Sequence, residues 1–557
     1  MRASMTSINF MKKLLKNSLV LTFLACAMII LIFFALTYMF IGRGGIPIGW
    51  DTPYYLDQMC RASKNGVLAF MHQKGYYRFG YGLLSSFLVT CGISPFLIEM
   101  IFPIILCISL VMISGILARR FWKKEKISIF TMLFATTWFA VYRLGADLHA
   151  SLLALVFLLT SSYFFLIRFD EKSVKSRSFW FLPILMAASF IHPETTIFFA
   201  AIFLISAFLS YFRHYRDTTV KYSFRKLILD SVLIVLFMLP SAILYFIQLS
   251  DLLTQTSGLI ASFPALKITK WIAYMGIFFP IAIPIFFFSF QKNFRKKHCP
   301  FDDFVVAWTV LSIAIAIGHY VVPIMAVFSE RALILFPTPF VFSIGLAISI
   351  KNFPRSATKR ANNILETVYV KVFKKERPLK NIFRRTLKVI KVMTIIMIFV
   401  SSFTLTAYYV KPSMMVFISQ SEYEKITWLS NNYQLSTPPI FVYNDFDESA
   451  GELANRNNNW IQFIYGEHYL YLGDIDSLLA LKETTFESLE SQTYSKYFIN
   501  NMIRDDVFNK SNLLQHKIII ISDFYLPGPI QTHTNVPLEE IYDGIFIVQI
   551  ENRSTGH

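Results

Sequence analysis

Uncharged apolar runs recur along this chain between Leu19 and Tyr409, and most approach the ~20 residues that carry an α-helix across a ~30 Å hydrocarbon layer. Backbone polar groups inside lipid must be satisfied within the segment itself, so runs of this kind become helices. Of the 557 residues, 55% are hydrophobic and only 16% are charged, too few charges to cover a soluble protein of this length. The fold expected is a mainly α, polytopic helical membrane protein.

Lys and Arg gather in short clusters between the runs, which sets the threading under the positive-inside rule. With the N-terminus cytoplasmic, Leu19–Ile41 leads out as a retained signal anchor, and residues 42–95 form a large external loop. Phe96–Leu117 returns, Ile127–Tyr142 leads out, Ala150–Ile167 returns, and Phe179–Ile191 leads out. Thr195–Phe212 returns, Leu227–Leu249 leads out, Trp271–Phe290 returns, and Phe304–Val322 leads out. Leu333–Ile350 returns to a basic cytoplasmic loop, 351–391, and Val392–Tyr409 leads out for the last time. The threading uses about eleven transmembrane helices and puts every strongly basic loop on one side.

Residues 179–212 are read as two spans. One helix over them would be ~51 Å long, and Pro193 removes a backbone donor where a turn is needed. Residues 60–90 are read as amphipathic pieces lying along the surface.

Two domains follow: a transmembrane module over 1–410 and an extracytoplasmic α/β domain over 411–557. In the latter SEYEKITWLSNN has helical character, and PPIFVYN, KIIIIS and GIFIVQI read as short buried strands. The five cysteines make no disulfide framework. The net charge of +18 sits in loop clusters rather than on one face, so no nucleic-acid partner is expected.

On this threading the polar residues at span ends fall on the outer side: Trp50, Asp51, His72, Arg143, Asp147, His149, His192, Glu194, His319, Glu330 and Arg331. Ionisable groups at membrane depth are costly and face a cavity or a partner, so their convergence points to an outward cleft. Each has a plainer reading. Arg143 and Asp147 are spaced as a helical ion pair, Glu330-Arg331 as an interfacial anchor, and His192-Pro193-Glu194 as a turn cap. Asp51 stands apart, in a Gly/Pro/Trp loop with no basic neighbour nearby in sequence, as a carboxylate suited to be a tuned base.

In order, the segments GWDTPYYL, FGYGLLSSFLVTCGISPFLIEMIFP, YRLGADLHASLLALVFLL and SERALILFPTPF resemble the membrane-embedded glycosyltransferases of the GT-C superfamily. The likeness covers residues 10–350 and the plan of an external tail. In SERALILFPTPF the His-Lys that precedes the Glu-Arg stretch in lumenal mannosyltransferases is replaced by Phe328-Ser329. The resemblance implies a helical membrane module, a first-loop aspartate that is general base or acceptor contact, and a polyprenyl-phosphate-linked sugar donor.

The chemistry is consistent with that resemblance. Sugar transfer to a hydroxyl needs a carboxylate to take its proton, here Asp51, and cations to hold the leaving phosphate, here Arg331 and Arg143. Asp147, His149, His192 and Glu194 would position the acceptor or the arginines, together with His72 and Glu330 in the same cleft. Tyr54 and Tyr55 would stack on a sugar or line the prenyl entrance. No glycine loop for nucleotide phosphates is present, which favours a lipid-linked donor; the acceptor is a glycan, lipid or protein. No cofactor is expected: Asp51, Asp57 and His72 could contribute to a divalent site, but arginines suffice for the phosphate. The reading that follows is an extracytoplasmic-face glycosyltransferase in the cell membrane. A transporter or flippase of a lipid-linked or anionic substrate, and a catalytically inactive GT-C-like envelope scaffold, are the alternatives.

Overall fold

The computed structural model describes residues 18–40, 47–49, 51–66, 79–170, 176–216, 223–260, 299–318, 400, 404, 420–432, 440–443, 470–472, 518–521, 538–542 and 545–548. In chain order the helices are α1 (Ser18–Phe40), α2 (Thr52–Asn65), α3 (Phe79–Thr90), α4 (Pro95–Trp122), α5 (Glu125–Thr136) and α6 (Phe139–Asp147). Then come α7 (His149–Asp170), a 3-10 turn over Ser176–Trp180, α8 (Phe181–Ile191), α9 (Pro193–Arg216), α10 (Phe224–Ile260), α11 (Pro300–Gly318) and α12 (Gln420–Asn432).

Five of these described helices are long and apolar enough to cross a membrane: α1, α4, and the apolar parts of α7, α9 and α10. Each overlaps a run expected to span. The protein is thus a mainly helical, multi-pass membrane protein. The expected spans Trp271–Phe290 and Leu333–Ile350 lie outside the described residues, as does nearly all of Val392–Tyr409.

The chain forms two compact units built from interleaved stretches. The first comprises Met1–Leu36, Val67–Ser85 and Met100–Ser413. Its centre is α7, whose apolar residues are buried nearly all round, as a helix enclosed by other helices requires. By contrast α1 buries only a stripe, Cys26, Ile30 and Phe34, and exposes Leu24, Met28, Leu31 and Ile32, the pattern of a lipid-facing helix. Helix α8 packs on α7, α9 and α10, and α9 packs on α11. Phenylalanine does much of this packing: Phe165 stacks on Phe203 at 4.6 Å and Phe199 meets Trp308 edge-on at 4.7 Å. Polar ties lock the basic-loop ends. Trp122 donates to Asp302 (2.8 Å), Ser210 to Asp303 (2.9 Å), and Arg168 pairs with Asp230 while lying over the Phe179 ring.

The expected break of 179–212 is present: α8 ends at Ile191 and α9 begins at Pro193, where a missing N–H costs nothing because the first helical donors have no partner. The stretch Ile127–Tyr142, expected as one span, is instead α5 and α6 separated at Thr137-Trp138. Hydroxyls cover the carbonyls freed there. Thr136 donates to Leu133 O (2.6 Å), Thr137 to Phe134 O (3.0 Å) and the Tyr142 phenol to Thr136 O (2.8 Å).

The second unit comprises Thr37–Gly66, Ser86–Glu99 and Met414–His557. Its five-stranded sheet has the order β2-β1-β3-β5-β4, with β1 (Ile440–Tyr443), β2 (Leu470–Leu472), β3 (Ile518–Ile521), β4 (Leu538–Tyr542) and β5 (Ile545–Val548). Strands β2, β1 and β3 run parallel, and β5 and β4 continue antiparallel. Strands β4 and β5 are two residues apart in sequence and pair antiparallel. Helix α12 buries Ile426 and Leu429, and its Tyr423 meets Phe96 edge-on at 5.6 Å.

Candidate active site

The opening motif folds as a loop feeding a helix. Gly49 takes a positive φ of 110°, a conformation glycine adopts without penalty. Asp51 is then the N-cap of α2: its carbonyl accepts the Tyr55 N–H at 3.1 Å, while its carboxylate makes no capping hydrogen bond. The start is held instead by the Thr52 hydroxyl, which donates to Ile48 O at 2.5 Å, and by Pro53 in the first turn. The one half-buried carboxylate of this turn is therefore not occupied in starting its own helix.

Along α2 the half-buried Tyr54 and the buried Tyr55 sit with ring centroids 5.9 Å apart. Asp57 and Arg61 form an ion pair at 2.7 Å. Burial pushes the Cys60 thiol up from its ordinary value, with Asp57 adding to the effect and Lys64 opposing it. Burial likewise raises the Tyr423 phenol. A thiol so placed is a poor nucleophile at neutral pH.

In the first unit a second set of candidates gathers around α3. Gly80 lies so close to the end of α8 that a Cβ there would stand 2.8 Å from Ile191 Cα, Ile191 N and Phe190 O. That approach sets α3 against the residues just before His192. The next residue, Tyr81, is fully buried, with its ring 6.0 Å from the His149 imidazole. His149 is buried and its Nε2 lies 3.1 Å from Gly145 O, which makes Nε2 the protonated nitrogen.

His192 caps α9. Its Nδ1 accepts the Thr195 N–H at 3.2 Å and lies 2.9 Å from the Thr195 hydroxyl, which leaves the ring proton on Nε2. The Glu194 carboxylate comes within 3.1 Å of the same Nδ1. Because Nδ1 is already the acceptor of a backbone amide, this is a close polar contact and not a bond donated by the ring. Glu194 is buried in the first turn of α9, where the helix dipole favours an acid. Thus α3 meets the His149 ring through Tyr81 and the end of α8, next to His192 in sequence, through Gly80.

Arg143 is half-buried on α6, and Asp147 ends that helix one turn further on. Asp51, Tyr54 and Tyr55 belong to the second unit, and Arg143, Asp147, His149, His192 and Glu194 to the first. His72, His319, Glu330, Arg331 and Trp50 lie outside the described residues. Among the described residues no three His, Cys, Asp or Glu side chains come together as a metal site.

Three residues had no role in the sequence reading. Tyr81 lay within the FGYG stretch. Glu99 is a buried acid in α4, legible as a lone charge in an apolar run. Gln58 is fully buried seven residues after Asp51, and only helical spacing could have marked it.

Neither a family model nor a curated protein matches the sequence itself. Solved structures do match the fold. The oligosaccharyltransferase AglB from Archaeoglobus fulgidus, in complex with an inhibitory peptide and a dolichol-phosphate, aligns over 91% of this chain and 69% of its own, with a TM-score of 0.56 and 10% identity. ArnT from Cupriavidus metallidurans aligns over 95% of this chain and 97% of its own, at 11% identity, with TM-scores of 0.54 in the apo state and 0.52 bound to undecaprenyl phosphate. The fold implied by the GT-C resemblance is the fold found.

Proposed function

We propose that this protein is a membrane glycosyltransferase that moves a sugar from a polyprenyl-phosphate-linked donor to an acceptor hydroxyl on the extracytoplasmic face. The observation that carries this reading is the alignment, over nearly the whole chain, with ArnT, whose structure holds undecaprenyl phosphate. The dolichol-phosphate in the AglB complex points the same way.

In this reaction Asp51 is the general base. It takes the acceptor proton as the new glycosidic bond forms, and the bond from the anomeric carbon to the phosphate oxygen breaks. Arg331 and Arg143 stabilise the phosphate as it leaves with its added negative charge. Tyr54 and Tyr55 contact the sugar or prenyl chain, and His72, Asp147, His149, His192, Glu194 and Glu330 position the acceptor and the arginines. The His192 tautomer suits that task, since its Nε2–H donates while Nδ1 holds the helix end. The reaction proceeds without a metal, the arginines neutralising the phosphate. On this reading residues 1–410 are a module of about eleven spans and residues 411–557 an extracytoplasmic α/β domain.

The test is transfer by purified protein from labelled polyprenyl-phosphate sugars, with Asp51→Asn alongside. Asp51→Asn folds as the wild type and loses transfer by about a hundredfold or more, the scale of a missing general base. Full activity in that variant rejects the assignment of Asp51. Substrate movement across vesicles without bond cleavage would make the protein a transporter.

A further inference from the structure

We propose that the Gln58 amide binds neighbouring hydroxyls of a sugar acceptor lying along the face of α2 that begins at Asp51, so that the acceptor is a glycan. The inference rests on the glycosyltransferase reading and narrows it. Gln58 is fully buried, and among the described residues neither its Nε2 nor its Oε1 has a hydrogen-bond partner. Native proteins rarely keep a buried amide wholly unbonded, because both ends lose water and gain nothing. The other buried polar side chains of α2 are engaged: Thr52 donates to Ile48 O, and Asp57 pairs with Arg61. Gln58 is the exception on this helix.

Its position gives the exception a direction. Seven residues are two turns, so Gln58 sits within ~20° of Asp51 around the axis and ~10 Å along it. Side chains on a helix lean toward its N-terminus, which inclines Gln58 toward Asp51. Tyr54 and Tyr55 fall between them, the latter on the same face.

The chemistry selects the ligand class. An amide presents donors at nitrogen and an acceptor at oxygen. A phosphate only accepts and would leave Oε1 unbonded. A serine or threonine acceptor brings a single hydroxyl, which the base must engage. A sugar brings adjacent hydroxyls, each donor and acceptor, so one satisfies both ends of Gln58 while another faces Asp51.

The test compares wild type with Gln58→Met, close in length and apolar, and Gln58→Leu as a second variant, all as full-length protein in detergent. Both variants melt no lower than wild type, because the group removed was unbonded in the fold. With polyprenyl-phosphate hexose as donor and methyl hexosides as acceptors, KM for the acceptor rises about tenfold or more and kcat changes less. A monodeoxy methyl hexoside lacking the hydroxyl that Gln58 reads shows the same loss in wild type and no further loss in Gln58→Met.

Melting well below wild type in both variants would show the amide bonded within the protein and overturn the proposal. Unchanged KM in stable variants would overturn it as well, as would equal dependence on Gln58 for serine- or threonine-containing peptide acceptors. If the wild type transfers sugar from no prenyl-linked donor, the glycosyltransferase reading falls and takes the glycan acceptor with it. The melting comparison then still decides whether the amide is bonded inside the fold.

Discussion

Replacing Gly80 by alanine tests whether α3 holds the His149 and His192 corner together. The new Cβ would stand 2.8 Å from three backbone atoms of α8, where carbon contacts normally settle at about 3.5–4.0 Å. Backbone cannot rotate aside as a side chain can, so α3 must withdraw by most of an ångström. Overpacking of this kind costs ~1–3 kcal/mol, and alanine returns ~1 kcal/mol of helix propensity. The net loss of stability is therefore small, ~0–2 kcal/mol, but the displacement falls on Tyr81, whose ring lies 6.0 Å from His149.

Gly115 is the control. A Cβ there meets the Met132 Cγ at 2.5 Å and Sδ at 2.7 Å, atoms of a flexible side chain that can turn away. Thermal denaturation in detergent and sugar transfer are measured for both variants. Gly80→Ala loses transfer disproportionately to its melting shift, whereas Gly115→Ala stays within ~1 kcal/mol of wild type and active. Equal stability and equal transfer in the two variants would show that the close approach of α3 to Ile191 does not exist.

Two further perturbations separate packing from chemistry. Removing one partner of the buried Arg168–Asp230 pair, as in Arg168→Met, lowers stability by ~3–5 kcal/mol, and the double change Arg168→Met/Asp230→Leu restores most of it. A double variant no more stable than the singles, by thermal melting, would deny that the penalty is an uncompensated buried charge. His192→Ala loses the α9 cap at a cost of ~1 kcal/mol, which His192→Asn recovers by supplying another acceptor for the Thr195 amide. Transfer stays low in His192→Asn because the Nε2 donor is gone; joint recovery of stability and transfer would make His192 a cap and nothing more.

Some elements of this fold were legible because their signals are local. The break at His192-Pro193 came from one residue type, since proline at a first helical position is both permitted and a stop for whatever precedes it. Strands β1, β3 and β5 lie within short apolar stretches picked out in advance, and α12 within SEYEKITWLSNN. The break between α5 and α6 carried no such signal. FATTWFA contains neither glycine nor proline, and the interruption is held by Thr136, Thr137 and the Tyr142 phenol, which returns from the next helix.

The candidate site divides in the same way. Asp51 stood out because its loop is short of other charge, and the structure adds that its carboxylate takes no part in capping α2. Tyr81 and Gln58 belong to ordinary-looking stretches. Their standing depends on burial and on what lies beside them, properties that no single segment carries.

The sequence alone determined what a bilayer and a backbone impose over a turn or a span: the apolar lengths, the basic loop clusters, the proline break and the strands β1, β3 and β5. Tertiary structure alone decided the approach of Gly80 to Ile191, the enclosure of the Gln58 amide and the placing of residues 37–66 in one compact unit with 414–557. The reason is range. Propensity and lipid solvation act on neighbours along the chain, whereas packing joins residues hundreds of positions apart and is settled by shape and by which polar groups find partners.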